Sequence, residues 1–569
     1  MTIQIRCERP GRPRSQFPVY PSGSLLRPSG TFLRTGRGVT DVPLETSARI
    51  VRELAGRGYN VDREAVTLIA SAEDPAATLA AAVEATPDDE LVVETDVVRA
   101  VRDDLQHSNG DSTSPEDPTV STGDASTGQQ NQTAVAPETE GSMSGHGPGS
   151  GSPAGTTAFA DQADRSTTGR SLDIAGDITG ESTGTGDYSD FVSLFRDRYD
   201  RLSKQLRGRV NHRPTDTLES MPGGSEAAIV GMVDDVRSTA NGHHLLDLED
   251  ANGTFPVLIT KDRDIADHVD EILTDEVIAV EGTISDDGGI LFVDELYFPE
   301  IPRTFEPTTA DRHVQAALIS DVHVGSQEFE ADAWNRFADW LHTAEAEAIE
   351  YLLIAGDMVE GVGVYPDQDE ELDIVDVYEQ YETFAEHLKA VPGDVEIVMI
   401  PGNHDAVRLA EPQPAFDEEL RDIMSAHDAR ITGNPSTVTI EGVSVLMYHG
   451  VSLDEMIAEL PEEKANYDEP QKPMYQLLKK RHVAPKYGGH MRLAPEKEDY
   501  LVIDQVPEIF HTGHVHKLGY GKYRNVLAIN SGCWQAQTDF QRSVNIDPDV
   551  AYAPIVDLDT LDVTIRKFI

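Results

Sequence analysis

The chain has 569 residues, with 46 Lys and Arg against 101 Asp and Glu, a net charge of −55. Only 12 of the cations are lysines, against 34 arginines. That balance excludes a polybasic membrane-surface protein and argues against a generic nucleic-acid binder with a basic face. Two cysteines, Cys7 and Cys533, exclude a disulfide framework and a Cys-rich zinc site. Acidic residues recur in nearly every block from Asp41 to Asp562. Such spread acidity with scarce lysine reads as adaptation to multimolar salt, where the Debye length falls to about 3 Å or less and high charge maintains solubility with little self-repulsion. No apolar run reaches the roughly 18 residues of a membrane-spanning helix, and no signal-peptide core opens the chain. A cytoplasmic location with no membrane partner is expected.

Residues 1–42 hold seven arginines against the single acid Glu8 up to residue 40. They read as a disordered or mis-started basic tail, with Val42 as an alternative start. Residues 43–106 read as a small helical domain. Ala48, Val51 and Leu54 share one helical face, Asp62 is placed to cap a helix carrying Ala65, Val66 and Ile69, and Thr95 caps one carrying Val98, Val101 and Leu105. Residues 107–187 are rich in Ser, Thr, Gly, Asp and Pro and read as a disordered linker, because they cannot bury enough apolar surface to offset ordering entropy. Residues 188–224 read as a helix and connector. Phe191, Leu194, Phe195, Tyr199, Leu202 and Leu206 make its apolar stripe. Residues 225–303 switch to five short strands, Ala228–Val233, Leu245–Asp250, Phe255–Ile259, Val277–Gly282 and Ile290–Val293, with a helical insert before the fourth. That pattern suits an OB-type β-barrel. Residues 311–569 alternate strands and helices as α/β sandwiches do.

The chemistry is concentrated in that last region. Five apolar strands each run into a polar cluster: Asp321-Val322-His323, Gly356-Asp357, Gly402-Asn403-His404-Asp405, His449-Gly450 and Gly513-His514-Val515-His516. Open α/β sheets gather ligands in a crevice at the carboxyl ends of their strands, so residues nearly 200 positions apart can converge there. The donors are carboxylate, imidazole and amide without thiolate, a set suited to Mn²⁺, Mg²⁺, Fe or Zn²⁺. Asp321 and His323 flank one residue and can face one ion, and His514 and His516 repeat that spacing. Asp357 is placed to bridge two ions about 3.5–4 Å apart. Each fragment alone is commonplace; their order and shared position at strand ends are not. His482, His490 and His511 read as structural in preference to substrate contacts.

These motifs resemble the calcineurin-like metallophosphoesterase superfamily. The resemblance implies an α/β metallophosphoesterase sandwich preceded by an OB-type β-barrel, with a small N-terminal helical domain. It implies two divalent metal ions, Mn²⁺ foremost, one held by Asp321, His323, Asp357 and His516 and the other by Asp357, Asn403, His449 and His514. It further implies that His404 protonates the leaving oxygen and that Asp405 orients His404. The domain order, together with Ile319–Ser326 and the block from Leu493 to His516, resembles the small subunits of archaeal family-D DNA polymerases. This implies a 3′–5′ proofreading exonuclease acting on single-stranded or mismatched 3′ ends. It also implies a heterodimer with a large catalytic polymerase subunit, and a sliding clamp as an optional further partner. A non-catalytic scaffold subunit and a stand-alone metallophosphatase are the alternatives.

Residues 471–492 carry Lys472, Lys479, Lys480, Arg481, Lys486 and Arg492 without one acid. In so acidic a chain this run is expected to touch DNA phosphates or the acidic partner subunit.

Overall fold

The computed structural model describes residues 50, 60–61, 63–70, 72, 75–86, 92–93, 95–108, 163, 165 and 169–569, except 183, 366–367, 426–428, 490 and 544. The basic tail at 1–42, the helical face of Ala48, Val51 and Leu54, the Asp62 cap, the linker over 109–162 and His490 lie outside the described residues. Two compact units result, one within 36–160 and one formed chiefly by 161–569.

The first unit holds helices Arg63–Ala70, Pro75–Ala85 and Thr95–Ser108 and two short parallel strands, β1 (Asn60–Val61) and β2 (Val92–Val93). Ile50, Ala65, Val66, Ile69, Leu79, Ala82 and Val98 form its small core. The helix Pro75–Ala85 escapes the sequence reading because its alanines give it little apolar contrast. Its proline sits at the first helical position, where no backbone donor is lost.

The larger unit corrects the linker expectation at its C-terminal end. Strand β3 (Leu172–Ala175) adds antiparallel to the edge of a sheet. Arg165 is buried and donates to the carbonyls of Ile349 (2.6 Å), Ala346 (2.9 Å) and Leu341. Arg170 pairs with Glu350 at 2.8 Å. Composition misses this strap because an edge strand and the planar donor forks of two arginines order it with only a few apolar side chains, Leu172, Ile174 and Ile178.

Helix Tyr188–Arg207 follows, started by a capping box between Asp187 and Asp190. Its apolar stripe is a joint between two cores. Leu202 and Leu206 pack with Ala228, Val230 and Val277. Leu194 packs with Leu453, Met474 and Leu501.

Strands β4 (Glu226–Ser238), β5 (His244–Asp250), β6 (Gly253–Ile259), β7 (Val277–Ile284) and β8 (Leu291–Tyr297) close into a barrel in the order β4-β5-β6-β8-β7. A 3₁₀ helix, Asp264–Glu271, links β6 to β7. The barrel interior is filled by alternating residues such as Ile229, Val233, Leu246, Leu248, Phe255 and Val257.

Two six-stranded sheets complete the unit. The first runs β12 (Arg430–Ile431), β11 (Glu396–Ile400), β10 (Ile349–Ala355), β9 (Gln315–Ile319), β18 (Tyr552–Asp557), β19 (Asp562–Lys567). The second runs β16 (Leu518–Tyr523), β17 (Val526–Ser531), β15 (Ile509–Thr512), β14 (Val443–Met447), β13 (Ser436–Ile440), β3. Alternation along β9 decides the layering. Ala316 and Leu318 face the other sheet, packing with Val445, Met447 and Ile529. Ala317 and Ile319 face outward onto Trp334, Phe337, Tyr381 and Phe384 of two covering helices. Helices Ser452–Glu459 and Gln471–Lys480 cover the second sheet. The central strands are therefore buried on both faces and read as continuous apolar runs.

The basic run, expected to touch DNA phosphates or the acidic partner subunit, is largely paired within the chain, and Lys479 and Lys480 reach the barrel. Lys480 is buried, with Nζ 2.7 Å from Glu276 and 2.6 Å from the Glu271 carbonyl. Lys479 Nζ meets the Glu271 carboxylate at 2.6 Å. Arg481 is buried and donates to the carbonyls of Ile503 (2.9 Å) and Asp504 (2.6 Å). Lys486 pairs with Glu455 and Glu459, and Lys472 with Glu469. Arg492 alone of the six is exposed. In sequence the run looks unpaired because its acids come from elsewhere in the chain. Burial opposes ionisation of Glu271, yet Lys479 and Lys464 outweigh it and hold its pKa at about 2. Lys479→Ala is therefore expected to lower stability by about 1.5–3 kcal/mol, the range for a hydrogen bond to a charged group, and to leave DNA affinity unchanged. Urea midpoints and a DNA titration check both; an unchanged midpoint with weakened DNA binding would restore the phosphate-contact reading.

Candidate metal centre

Every predicted ligand stands just beyond a strand end, and the backbone there is unusual. Asp321, His323, Asp357, His514 and His516 all have positive φ, between 52° and 73°. Non-glycine residues held in that region store strain, which persists where the surrounding structure over-determines it and clusters at functional sites. Here the turns aim consecutive polar side chains from β9, β10 and β15 into one cleft.

The side chains converge in two groups. In the first, His323 Nε2 and His516 Nε2 are 3.0 Å apart, and Asp321 Oδ1 is 3.9 Å and 3.4 Å from them. In the second, His449 Nε2 lies 3.2 Å from Asp357 Oδ2 and 3.0 Å from Asn403 Oδ1, with His514 within the same cluster. Asp357 Oδ2 is also 3.8 Å from His323 Nε2, so one carboxylate oxygen stands between the groups. Each group offers carboxylate and imidazole donors converging on one point, and this set fits a divalent cation.

Outer contacts fix the imidazoles. His449 Nδ1 donates to the Ala355 carbonyl at 2.8 Å, which leaves Nε2 for the centre. His514 Nε2 meets Asp454 at 3.1 Å, leaving Nδ1. Gly356 (φ +90°) is required here, since a Cβ would press on His449 Nδ1 and sit 2.9 Å from the Gly402 backbone.

The electrostatics favour positive charge. Burial opposes ionisation of Asp321, but His323 and His516 keep its pKa well below the carboxylate range. Burial likewise opposes charge on His449, and Asp357 outweighs it, raising His449 to about 10.

The sequence reading missed Glu360. Its Oε2 lies 2.8 Å from His323 Nδ1, and its backbone carbonyl accepts from His404 Nδ1 at 2.8 Å. Gln535 and Gln368 donate to the same buried carboxylate at 2.7 Å and 3.1 Å. The available signal was an acid three residues after Asp357, on the same loop. Carboxylates behind ligating histidines typically contribute 10- to 100-fold to metal affinity, so Glu360→Gln is expected to weaken metal binding by about that factor. Isothermal titration with Mn²⁺ checks this; unchanged affinity would reduce Glu360 to a packing role.

Asp405 does not orient the His404 ring, which corrects the expectation for it. Its carboxylate accepts from Gly402 N (2.8 Å), Met358 N (3.2 Å) and Tyr381 Oη (3.0 Å), stapling the 356–358 turn to the 402–405 turn. Burial and the neighbouring Asp357 raise its pKa to about 7. The Glu360 carbonyl positions His404 instead. Since a carbonyl only accepts, Nδ1 carries a proton, and Nε2 is the nitrogen left facing the cleft. His511 is buried against Ser531, and His482 against Asp499, both as structural residues.

A family model for the B-type subunits of DNA polymerases alpha and epsilon matches residues 316–518. A DNA polymerase II small subunit from Halobacterium salinarum is 65% identical over 533 residues, covering 93% of this chain and 100% of the relative. The chain belongs to the archaeal DNA polymerase II, or family-D, small subunits. The Archaeoglobus fulgidus small subunit is 43% identical over 386 residues, covering 66% of this chain and 77% of its own. A solved archaeal phosphodiesterase aligns with 44% of this chain and 99% of its own at 12% identity and a TM-score of 0.23, which carries no argument. The small-subunit assignment stands beside mixed sheets, a closed five-stranded barrel and a cleft of converging carboxylates and imidazoles in one chain. No helix among the described residues is long and apolar enough to cross a membrane.

Proposed function

We propose that this chain is the 3′–5′ exonuclease subunit of a two-subunit DNA polymerase, removing nucleotides from single-stranded or mismatched 3′ ends. One observation carries the reading: all seven proposed ligand residues, Asp321, His323, Asp357, Asn403, His449, His514 and His516, are present and meet in one cleft beside His404. Two divalent ions, Mn²⁺ foremost, would activate the attacking water and neutralise charge on the phosphodiester when bound. His404, entering with protons on both ring nitrogens, gives its Nε2 proton to the leaving 3′ oxygen while the Glu360 carbonyl holds Nδ1–H, and ends as the neutral Nδ1–H form. Asp357 links the two ligand groups, and Asp405 maintains the spacing of the turns that carry them. The barrel is read as an OB-type fold that docks the phosphoesterase through the Lys479–Arg481 seam. Polymerisation belongs to a large catalytic subunit on a separate chain. The spread acidity is read as adaptation to concentrated salt in the cytoplasm.

Purified chain in multimolar salt, alone and with the large subunit, should shorten 3′-labelled strands when Mn²⁺ is present and not when it is chelated. Cleavage that ignores chelation, or assembly without any cleavage, would overturn the proposal. The second outcome corresponds to a scaffold subunit, a reading favoured by one observation: the basic run is paired within the chain.

A further inference from the structure

A row of rings leads out of the metal centre. The His323 and His404 rings meet edge to face at 4.8 Å, and Tyr365 lies 6.3 Å beyond His404. Phe540 then stacks on Tyr365, with centroids 5.6 Å apart and planes inclined by 26°. Tyr365 is held by Glu360 Oε1 at 3.2 Å and Glu371 Oε2 at 3.3 Å. Phe540 is 36% exposed on a short helix, Asp539–Ser543, so its ring is open to solvent beside Tyr365.

Both rings line a cavity of ≈ 350 Å³, within the range of small-ligand sites of about 300–1,000 Å³. Its other walls are largely acidic: Glu328, Glu370, Glu371 and Asp539. The one cation there, Arg542, is engaged by Asp539 at 3.0 Å. Such walls repel a phosphate. They accept a neutral, planar group with polar edges, and the ring stack offers that group an aromatic face.

We infer that Tyr365 and Phe540 form a stacking platform for the nucleobase next to the bond being cleaved. The inference rests on the nuclease reading and extends it to the substrate's base. A cavity of ≈ 350 Å³ has room for one base and not for a base pair, so a base held there is unpaired. The platform therefore selects frayed or mismatched 3′ ends by geometry rather than by base identity, since every base has a stacking face.

The test uses the full chain and strands ending in 2-aminopurine, whose fluorescence falls on stacking, with matched strands carrying an abasic 3′ end. Wild type and Phe540→Trp should quench the probe, and Phe540→Ala should not. The preference of wild type for a base-bearing over an abasic end, about ten- to a hundredfold in KM, should fall to near unity in Phe540→Ala. Absent quenching in wild type, or quenching and preference unchanged in Phe540→Ala, would overturn the platform. If no strand is cleaved but quenching depends on Phe540, the nuclease reading falls and the platform stands.

Discussion

Asp357→Ala is expected to release metal from both positions and to reduce cleavage by at least about 10²- to 10³-fold, the scale for removing one preorganised stabilising group. The reason is geometric. Asp357 Oδ2 is 3.2 Å from His449 Nε2 in one group and 3.8 Å from His323 Nε2 in the other, and Oδ1 accepts from the His404 backbone at 2.8 Å. Truncation therefore touches both ligand groups and the loop that carries His404. Substitution of a residue serving one group, such as Asn403→Ala, should lower the metal content by one ion per chain. Elemental analysis of the purified variants separates the cases. Equal metal content in Asp357→Ala and Asn403→Ala would contradict the bridging role.

Asp499→Ala is expected to destabilise the protein by about 3–5 kcal/mol, since it leaves Arg198 as an uncompensated buried charge. Arg198 Nε and Asp499 are 2.6 Å apart, both fully buried, and His482 Nε2 shares the carboxylate at 2.9 Å. His482 Nδ1 accepts from Ala484 N at 2.9 Å, which fixes the neutral tautomer. Burial, then the nearby Arg198, lower the His482 pKa to about 4. The unfolded chain takes up this proton near pH 6.5 and the folded one only near pH 4. Stability from this group is complete above about pH 6.5 and is lost as pH falls toward 4. Asp499, held well below its usual range, contributes a further loss at lower pH. A His482→Gln variant should show a shallower fall of urea midpoint between pH 6.5 and 4 than the wild type; parallel curves would contradict this assignment.

The sequence made the centre legible because catalytic donors must follow strands, and apolar strands end visibly. Asp321, Asp357 and His449 were recognisable through the order of the five clusters and their shared position at strand ends, not from any one fragment. Glu360 touches His323 and His404, and its place three residues after Asp357 was only a faint signal of those contacts. The basic run misled for a related reason. Lys480 pairs with Glu276 and Lys479 with Glu271, over 200 positions away in each case, so local charge gave no sign of neutralisation. The strap around Leu172–Ala175 was hidden by its composition, since two arginines and an edge strand order it with only a few large apolar side chains, Leu172, Ile174 and Ile178. Helix Tyr188–Arg207 shows the opposite case: its stripe was plain, but that it joins barrel to sandwich follows only from the packing.

The most direct measurement is release of 5′-mononucleotides from a mismatched 3′ end in Mn²⁺, comparing wild type with His404→Ala at equal metal content. Wild type should release them one at a time, and His404→Ala should be slower by about 10²- to 10⁴-fold, the range for a lost general acid. Equal rates in the two proteins, or no release from wild type in the presence of its large subunit, would contradict the account.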